Sequence, residues 1–571
     1  MATEKSAPAF AAVDAALSDL AVGEKNWAEL PLRDRCELLD RVRELTLRHS
    51  AEWVDAAVQI KGLDPSSQLV GEEWISGPYA VATSLRVLSA TLDALDHGKS
   101  PLENAKFGTA GDRVTVKVLP TDMFDTLLLN GFSAEVWLQP GVSAAAAKAN
   151  AGLAQLDPTK TNGIGMVLGA GNITSIAPLD VLYELIAHNR VVALKLNPIY
   201  DRLLPVFTKV LAPLIELDVV RVLTGGADVG GYLAGHDLVR HVHMTGSIAT
   251  HDAIVWGAGT EAAERKKAET PKLSKPITSE LGGVAPAIVL PGTWDRADLE
   301  FQAQHLATQR LHNGGYNCIA AQGIIISSEW PQKEPFLDAL RKAVADAPSR
   351  CAYYPGSDER VARAGSSYPH AEHLGPADER LLVTGIDPAT NEPLLVDEYF
   401  APVLGVMEIP GTGADFTRAA AQMANETFAG TLGANVIAHP GTINELGTDF
   451  DALIEQLRYG TIAINTWTGL GYLTPTASWG GFPGATLDNV QSGIGVVHNA
   501  WLIDRPERTV VRGPFRPAPR SLLHGEWAIS PKPPWFVDNK TAATTGRLLT
   551  GFAANPHWWR LPKIFASAIR G

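Results

Sequence analysis

The run NGIGMVLGAGNITSIAPLDVLYELIAHNRVVALKLNP, residues 162–198, decides the fold. Gly163 to Leu168 is a short apolar run broken by Gly169-Ala170-Gly171-Asn172. Ile176 to His188 carries apolar residues at helical spacing, and Val191 to Leu196 is a second apolar run closed by Asn197-Pro198. Strand, glycine turn, helix and strand in this order form the βαβ unit of a doubly wound parallel sheet. Ligands of such sheets bind beyond the carboxyl ends of the strands, so the breaks are where function is sought.

The alternation continues outward. Val219 to Leu223 reads as a strand, Gly225-Gly226-Ala227-Asp228-Val229-Gly230 as a turn, Gly231 to His236 as a helix, and Val239 to Met244 as a strand stopped by Thr245-Gly246-Ser247. Taken alone, a Gly-Gly-x-x-x-Gly turn fits a tight βα connection as well as a dinucleotide site. Pro402 to Glu408 and Phe416 to Thr427 repeat strand and helix. Upstream, Phe10 to His97 reads as helices, with Cys36, Leu38, Leu39, Val42 and Leu45 on one stripe, and Asp112 to Gly141 as β structure.

With 571 residues, 46% apolar and 19% charged, the chain predicts two or three globular domains. A net charge of −14 argues against a nucleic-acid binder. Three cysteines, Cys36, Cys318 and Cys351, offer neither a disulfide framework nor a metal site. Together with a start that lacks a secretory pattern and no long apolar run, they predict a cytoplasmic protein. From Trp501 onward, eleven Lys and Arg face four Asp and Glu, so this Pro- and Trp-rich stretch is basic on an otherwise acidic chain.

Two motifs carry chemistry: Ser279-Glu280-Leu281-Gly282-Gly283, and His312-Asn313-Gly314-Gly315-Tyr316-Asn317-Cys318. A carboxylate and a cysteine, each beside a glycine pair, supply base, nucleophile and backbone that substrate can approach. A lone cysteine is more often a packed core residue, and Cys36 and Cys351 are read that way.

Both motifs resemble the aldehyde dehydrogenase superfamily, and the similarity runs over about residues 20 to 500. Lys195, Thr245-Gly246-Ser247, Asp397-Glu398-Tyr399-Phe400-Ala401-Pro402, Ile462 to Asn465 and Gly480 to Gly493 are similar to its other motifs. The resemblance implies an α/β fold with a Rossmann-like nucleotide-binding lobe at 1–276, including a helical layer and oligomerisation strands near 112–141. A catalytic lobe follows at 277–473, then a return segment at 474–500 and an extension at 501–571. It also implies an intersubunit β extension, hence a homo-oligomer, dimer or tetramer.

By the same resemblance Cys318 is the nucleophile, Glu280 the base, and Asn172 with the Cys318 amide the oxyanion donors. NAD or NADP is held by Lys195, Gly225, Gly230, Thr245, Gly246, Ser247, Leu281, Glu398 and Phe400. The expected reaction is oxidation of a small-molecule aldehyde to its acid through a cysteine thioester. The alternatives are acyl transfer to coenzyme A, or a non-catalytic scaffold using the tail. The chain departs from the family pattern at Ala170-Gly171, where a tryptophan usually precedes the asparagine. It departs again at Pro198, where NAD-preferring members often carry glutamate, and at Ala249-Thr250 after Ser247. The tail is expected to pack on the acidic body or a neighbouring subunit, with a membrane surface as the weaker alternative.

Overall fold

The apolar runs between glycine breaks become strands, and the amphipathic segments become the helices that cover them. The computed structural model describes residues 7–390 and 392–571. The elements that carry the site are, in chain order, β1 (Ile164–Leu168), α1 (Ile176–Ile186), β2 (Val191–Lys195), α2 (Ala227–Gly235), β3 (Val239–Gly246), α3 (Ile248–Val255), β4 (Ile277–Leu281), α4 (Arg296–Leu311) and β5 (Pro506–Arg512).

A six-stranded sheet runs Gly493–Ile494, β4, β3, β1, β2, Val220–Leu223, with every pairing parallel except that of Gly493–Ile494 on β4. Leu168 lies opposite both Lys195 and Met244, so the strands end at one level. The turns that follow them therefore open on the same edge. α1 is buried along its whole length, and its apolar sequence fits that placement.

The second sheet has eleven strands, with a parallel centre from β5 through Thr461–Ile464, Gly433–Ile437, Ala285–Val289, Ala321–Ser327 and Val403–Ile409 to Arg380–Ile386. Because β4 belongs to the first sheet and Ala285–Val289 to the second, the changeover falls at Gly282-Gly283, directly after Glu280. The helices of 7–29, 32–48 and 50–60 pack beneath the nucleotide lobe through Leu17, Leu20, Trp27, Leu39 and Val42.

The β extension is paired within its own chain as far as the edge strand Phe107–Ala110. Its strands Phe107–Ala110, Arg113–Leu119 and Ser133–Leu138 pair antiparallel with one another and then with β5, and β5 pairs with Thr461–Ile464 of the same chain. The catalytic sheet is thus continued within one chain. Beyond β5 the tail packs on its own body. Arg516 and Arg520 reach Asp298 and Asp295 at the start of α4, and Phe536 stacks on Phe301 and His305 of that helix. Near the end of the tail Trp558 and Trp559 are exposed, and among the described residues no helix is long and apolar enough to cross a membrane.

Candidate active site

Cys318, the expected nucleophile, is placed by the way α4 ends. Asp295 and Asp298 cap its start reciprocally, and its last turn runs into Asn313, Gly314 and Gly315 at φ of 55°, 69° and 82°. Three consecutive left-handed residues reverse the chain, and only glycine adopts this conformation freely. A Cβ at Gly315 would lie 2.9 Å from Arg310 and 3.1 Å from the backbone of Ala401. The reversal sets half-buried Cys318 just before the strand Ala321–Ser327.

Asn313 holds the turn. Its Nδ2 donates to the carbonyls of Asn172 and Tyr316 at 3.0 and 3.1 Å, and its Oδ1 accepts from Lys61 and the Tyr353 hydroxyl at 3.0 and 3.1 Å. Lys61 is itself paired with Glu73 at 2.9 Å, and Arg350 with Glu72, all in the interior. The sequence reading missed Asn313, although an asparagine ahead of a glycine pair is the residue best suited to a left-handed position after glycine.

Asn172 comes from the turn after β1. Its Nδ2 donates to the Tyr316 carbonyl at 2.9 Å, which leaves the second amide hydrogen for a substrate oxygen. The tryptophan position of the family pattern is Gly171, where a Cβ would meet the side chain of Asn197 at 2.7 Å. Asn197, which caps Ile199 at 3.1 Å, has taken that space. Trp467 is buried with its ring 4.7 Å from His312.

Glu280 ends β4 and faces the thiol. Burial first, then the charge of Asp180, raise its carboxyl to about 7, against the lowering effects of the nearby Cys318, Trp479 and His243 side chains. The thiol is pushed well above its ordinary value by burial and by the carboxylates of Glu280 and Glu398. Glu398 is raised to about 8, mainly by burial. It approaches so closely that a Cβ at Gly282 would lie 2.1 Å from its Oε1, which explains the glycine.

Cys318, Glu280 and Asn172 line one cleft of about 960 Å³, together with Lys195, Gly230, Gly246, Ser247, Glu398 and Phe400. Thr245 also borders it, but its hydroxyl donates to Asp180 at 2.9 Å. Two expected residues lie elsewhere. Gly225 serves the turn, at φ 139° with Val229 where its Cβ would be, and Leu281 is fully buried in the core. Gly226 and Gly282 border the cleft in their place.

A dinucleotide fits these surroundings. A Cβ at Gly231 would stand in open space within the cleft, α3 starts at Ser247 with its first amides available, and Lys195 supplies a buried cation beside Asp201 and Asp228. Lys272 and Lys275, absent from the sequence reading, stand at the rim. Among the described residues no cluster suited to a metal ion occurs.

Comparison with known proteins agrees with this architecture. The model of the aldehyde dehydrogenase family matches residues 201–350. A D-glyceraldehyde dehydrogenase (NADP(+)) of Thermoplasma acidophilum is 23% identical over 270 residues, 43% of this chain and 49% of that protein. A glutarate-semialdehyde dehydrogenase of Pseudomonas putida is 33% identical over 132 residues, 23% of this chain and 24% of that protein. The matched segments thus span about half of the first relative and about a quarter of the second. Among solved structures, an aldehyde dehydrogenase of Pseudomonas syringae in complex with NAD+ and octanal superposes with a TM-score of 0.59 at 18% identity, covering 89% of this chain and 90% of that one. An NADP-dependent glyceraldehyde-3-phosphate dehydrogenase of Bacillus halodurans, in complex with NADP, gives 0.58 at 17%, covering 88% and 91%. These structures share the fold. Residues 201–350, which run from the nucleotide side into the turn that holds Cys318, are thus similar to the aldehyde dehydrogenase family, and the chain as a whole shares the fold of these enzymes.

Proposed function

We propose that this protein oxidises a small aldehyde to its carboxylic acid with NAD or NADP. The observation that carries the reading is the convergence of Cys318, Glu280 and Asn172 on the cleft that also holds Lys195 and the start of α3. Lys195, the Gly226–Gly231 turn and Ser247 would hold the adenosine and phosphate end of the dinucleotide, and Glu398 and Phe400 the end near the thiol. When bound, the dinucleotide supplies the acceptor for the hydride.

Glu280, in contact with the thiol and raised to about 7, takes its proton. The sulfur attacks the carbonyl carbon, and the resulting oxyanion receives hydrogen bonds from the Asn172 amide and the Cys318 backbone N–H. Once the hydride has left, a thioester remains on Cys318. After the thiol proton has passed from Glu280 to solvent, Glu280 takes a proton from the attacking water, and the acid departs as the thiolate is restored.

The relatives are named for D-glyceraldehyde and glutarate semialdehyde, so short polar aldehydes are the first substrates to try. The test is NAD(P)H absorbance with such aldehydes and either nucleotide, with and without coenzyme A, and with Cys318→Ala alongside. Turnover without coenzyme A that Cys318→Ala abolishes supports the reading. Turnover only with coenzyme A, or turnover that survives the substitution, refutes it.

A further inference from the structure

Behind Glu280, on the face of the sheet covered by α1, stands a ladder of buried ionisable side chains that the chemistry above does not use. The two-residue period of β3 puts His241, His243 and Thr245 on one face, and α1 sets Asp180 and Glu184 over them, one turn apart. β4 runs beside β3 with His243 opposite Thr278 and Thr245 opposite Glu280, so the catalytic carboxylate belongs to the same row.

Contacts join the groups behind Glu280, and Glu280 itself feels the charges of Asp180 and His243. Asp180 accepts from Thr245 at 2.9 Å, and it lies 3.6 Å from His243 Nε2 and 3.7 Å from His498 Nε2. The Nδ1 of His243 is 2.9 Å from the Thr278 hydroxyl. One turn further along α1, Glu184 pairs with Arg190 at 2.9 Å and with His241 at 3.5 Å, and it lies 4.0 Å from His188.

Such groups are costly in a protein interior. Asp180 and Glu184 are each 1% exposed, His243 2%, Glu280 3% and His241 4%. Glu280 Oε1, Asp180 Oδ1, His243 Nε2 and both ring nitrogens of His498 have no hydrogen-bond partner. Thr278 and His188, at the far end, border a surface crevice of about 360 Å³ that shares no residue with the nucleotide cleft. The row thus has one end at the reacting atoms and the other at a separate opening.

We propose that this row is a proton relay that empties Glu280 through the second opening while the nucleotide still fills the cleft. Glu280 gains one proton from the attacking water and passes one on through the His243–Asp180 pair. Thr278 hands one to solvent in the crevice, and no electrons move. The proposal rests on Glu280 being the base of the reaction proposed above.

Charges on every packed element bear on it. Glu280 faces Asp180 from α1, His243 from β3, and Cys318 and Glu398 from the catalytic lobe. Burial opposes charge on His243, but Asp180, with Glu184 and Glu280, outweighs it and holds this imidazole above its ordinary value. The same two histidines, His243 and His498, keep Asp180 low in spite of burial. A proton arriving at His243 is therefore accepted near neutral pH. Asp180, Thr278 and His243 act through Glu280 and are positioning residues, not catalytic ones.

The test uses the full chain with nucleotide and a turned-over aldehyde. Rapid-quench mass spectrometry follows the appearance and decay of acylated Cys318 in the wild type, Asp180→Asn and Thr278→Val, from mildly acid to mildly alkaline pH, with and without added imidazole. The expected result is acylation at the wild-type rate and decay slowed by about tenfold to a hundredfold, with an altered pH profile and partial rescue by imidazole. Thr278→Val replaces one hydroxyl by a methyl at the crevice, so it decides the matter if Asp180→Asn does not fold. Decay at the wild-type rate and pH profile in the folded variants overturns the relay alone. Wild-type turnover that survives Glu280→Gln overturns the reaction and the relay with it.

Discussion

The carboxyl of Glu280 faces the Cys318 thiol across the junction of the two lobes and, after burial, does most to hold that thiol above its ordinary pKa. Each residue comes from a different sheet, Glu280 from the end of β4 and Cys318 from the turn before Ala321–Ser327. The pair therefore exists only when the lobes are docked. It also keeps the cysteine a neutral thiol, since the Glu280 charge opposes a thiolate beside it.

Removing one charge should release the other. In Glu280→Gln the thiol loses a raising influence second only to burial. Its pKa falls, and at fixed pH near 8 it is alkylated by iodoacetamide on the order of tenfold faster, a tenfold change corresponding to one unit of pKa. Peptide mass mapping separates this from the reaction of exposed Cys351.

Hydrolysis of the thioester requires the ionised base. With Glu280 at about 7, the rate should rise with pH below that value and level off above it. A pH profile of the decay of acylated Cys318 checks this, and a flat profile through neutrality would remove Glu280 from the step.

Lys195 is the buried cation of the nucleotide cleft. Lys195→Ala should weaken nucleotide binding by about 10- to 100-fold, as expected for loss of a charged hydrogen bond of about 1.5–3 kcal/mol. Titration calorimetry in the Cys318→Ala background measures it. Parallel titrations with NAD and NADP show which the Pro198 site prefers.

Asn313 joins the nucleophile turn to Asn172 and to Lys61. Asn313→Ala strands buried partners and places a Cβ-bearing residue less suited to φ 55°. A loss of about 3 kcal/mol in denaturant unfolding and a fall in kcat larger than any change in KM are expected. Loss of stability without loss of kcat would mean that the turn holds Cys318 without this anchor.

Arg516 pairs with Asp298, whose side chain is fully buried at the start of α4. Arg516→Ala leaves that carboxylate with Arg520 as its remaining cation, and about 1.5–3 kcal/mol of stability should be lost, seen as a lower thermal midpoint.

Much of this site was legible because the reading rested on residues whose type is dictated by chemistry or by turn geometry. The glycine breaks after β1 and β3, the Glu280 and Cys318 motifs and Lys195 are local signals, and the structure gathers them at one cleft. Contacts made far along the chain were not legible. Asp180 and Glu184 sit in a helix that reads as apolar, and their meaning appears only when β3 brings His241 and His243 beneath them. The exchange of a tryptophan for Gly171 was visible, but Asn197 filling the space was not, because nothing local links the two. The return of the extension to its own catalytic sheet depends on β5 lying beside Thr461–Ile464, a pairing set by tertiary packing.

The dependence of α4 on the tail bears on how the protein is made. Asp298 leaves the ribosome 218 residues before Arg516. At roughly 5–20 residues per second, the helix that carries the nucleophile waits some ten to forty seconds for its counter-ion. During that interval the parallel strands of the nucleotide sheet, which lack only the edge strand Gly493–Ile494, can already fold, whereas the catalytic sheet still lacks β5. A nascent chain would thus bind nucleotide before its thiol is properly held, and a late translational stall would leave a dinucleotide binder without a working nucleophile.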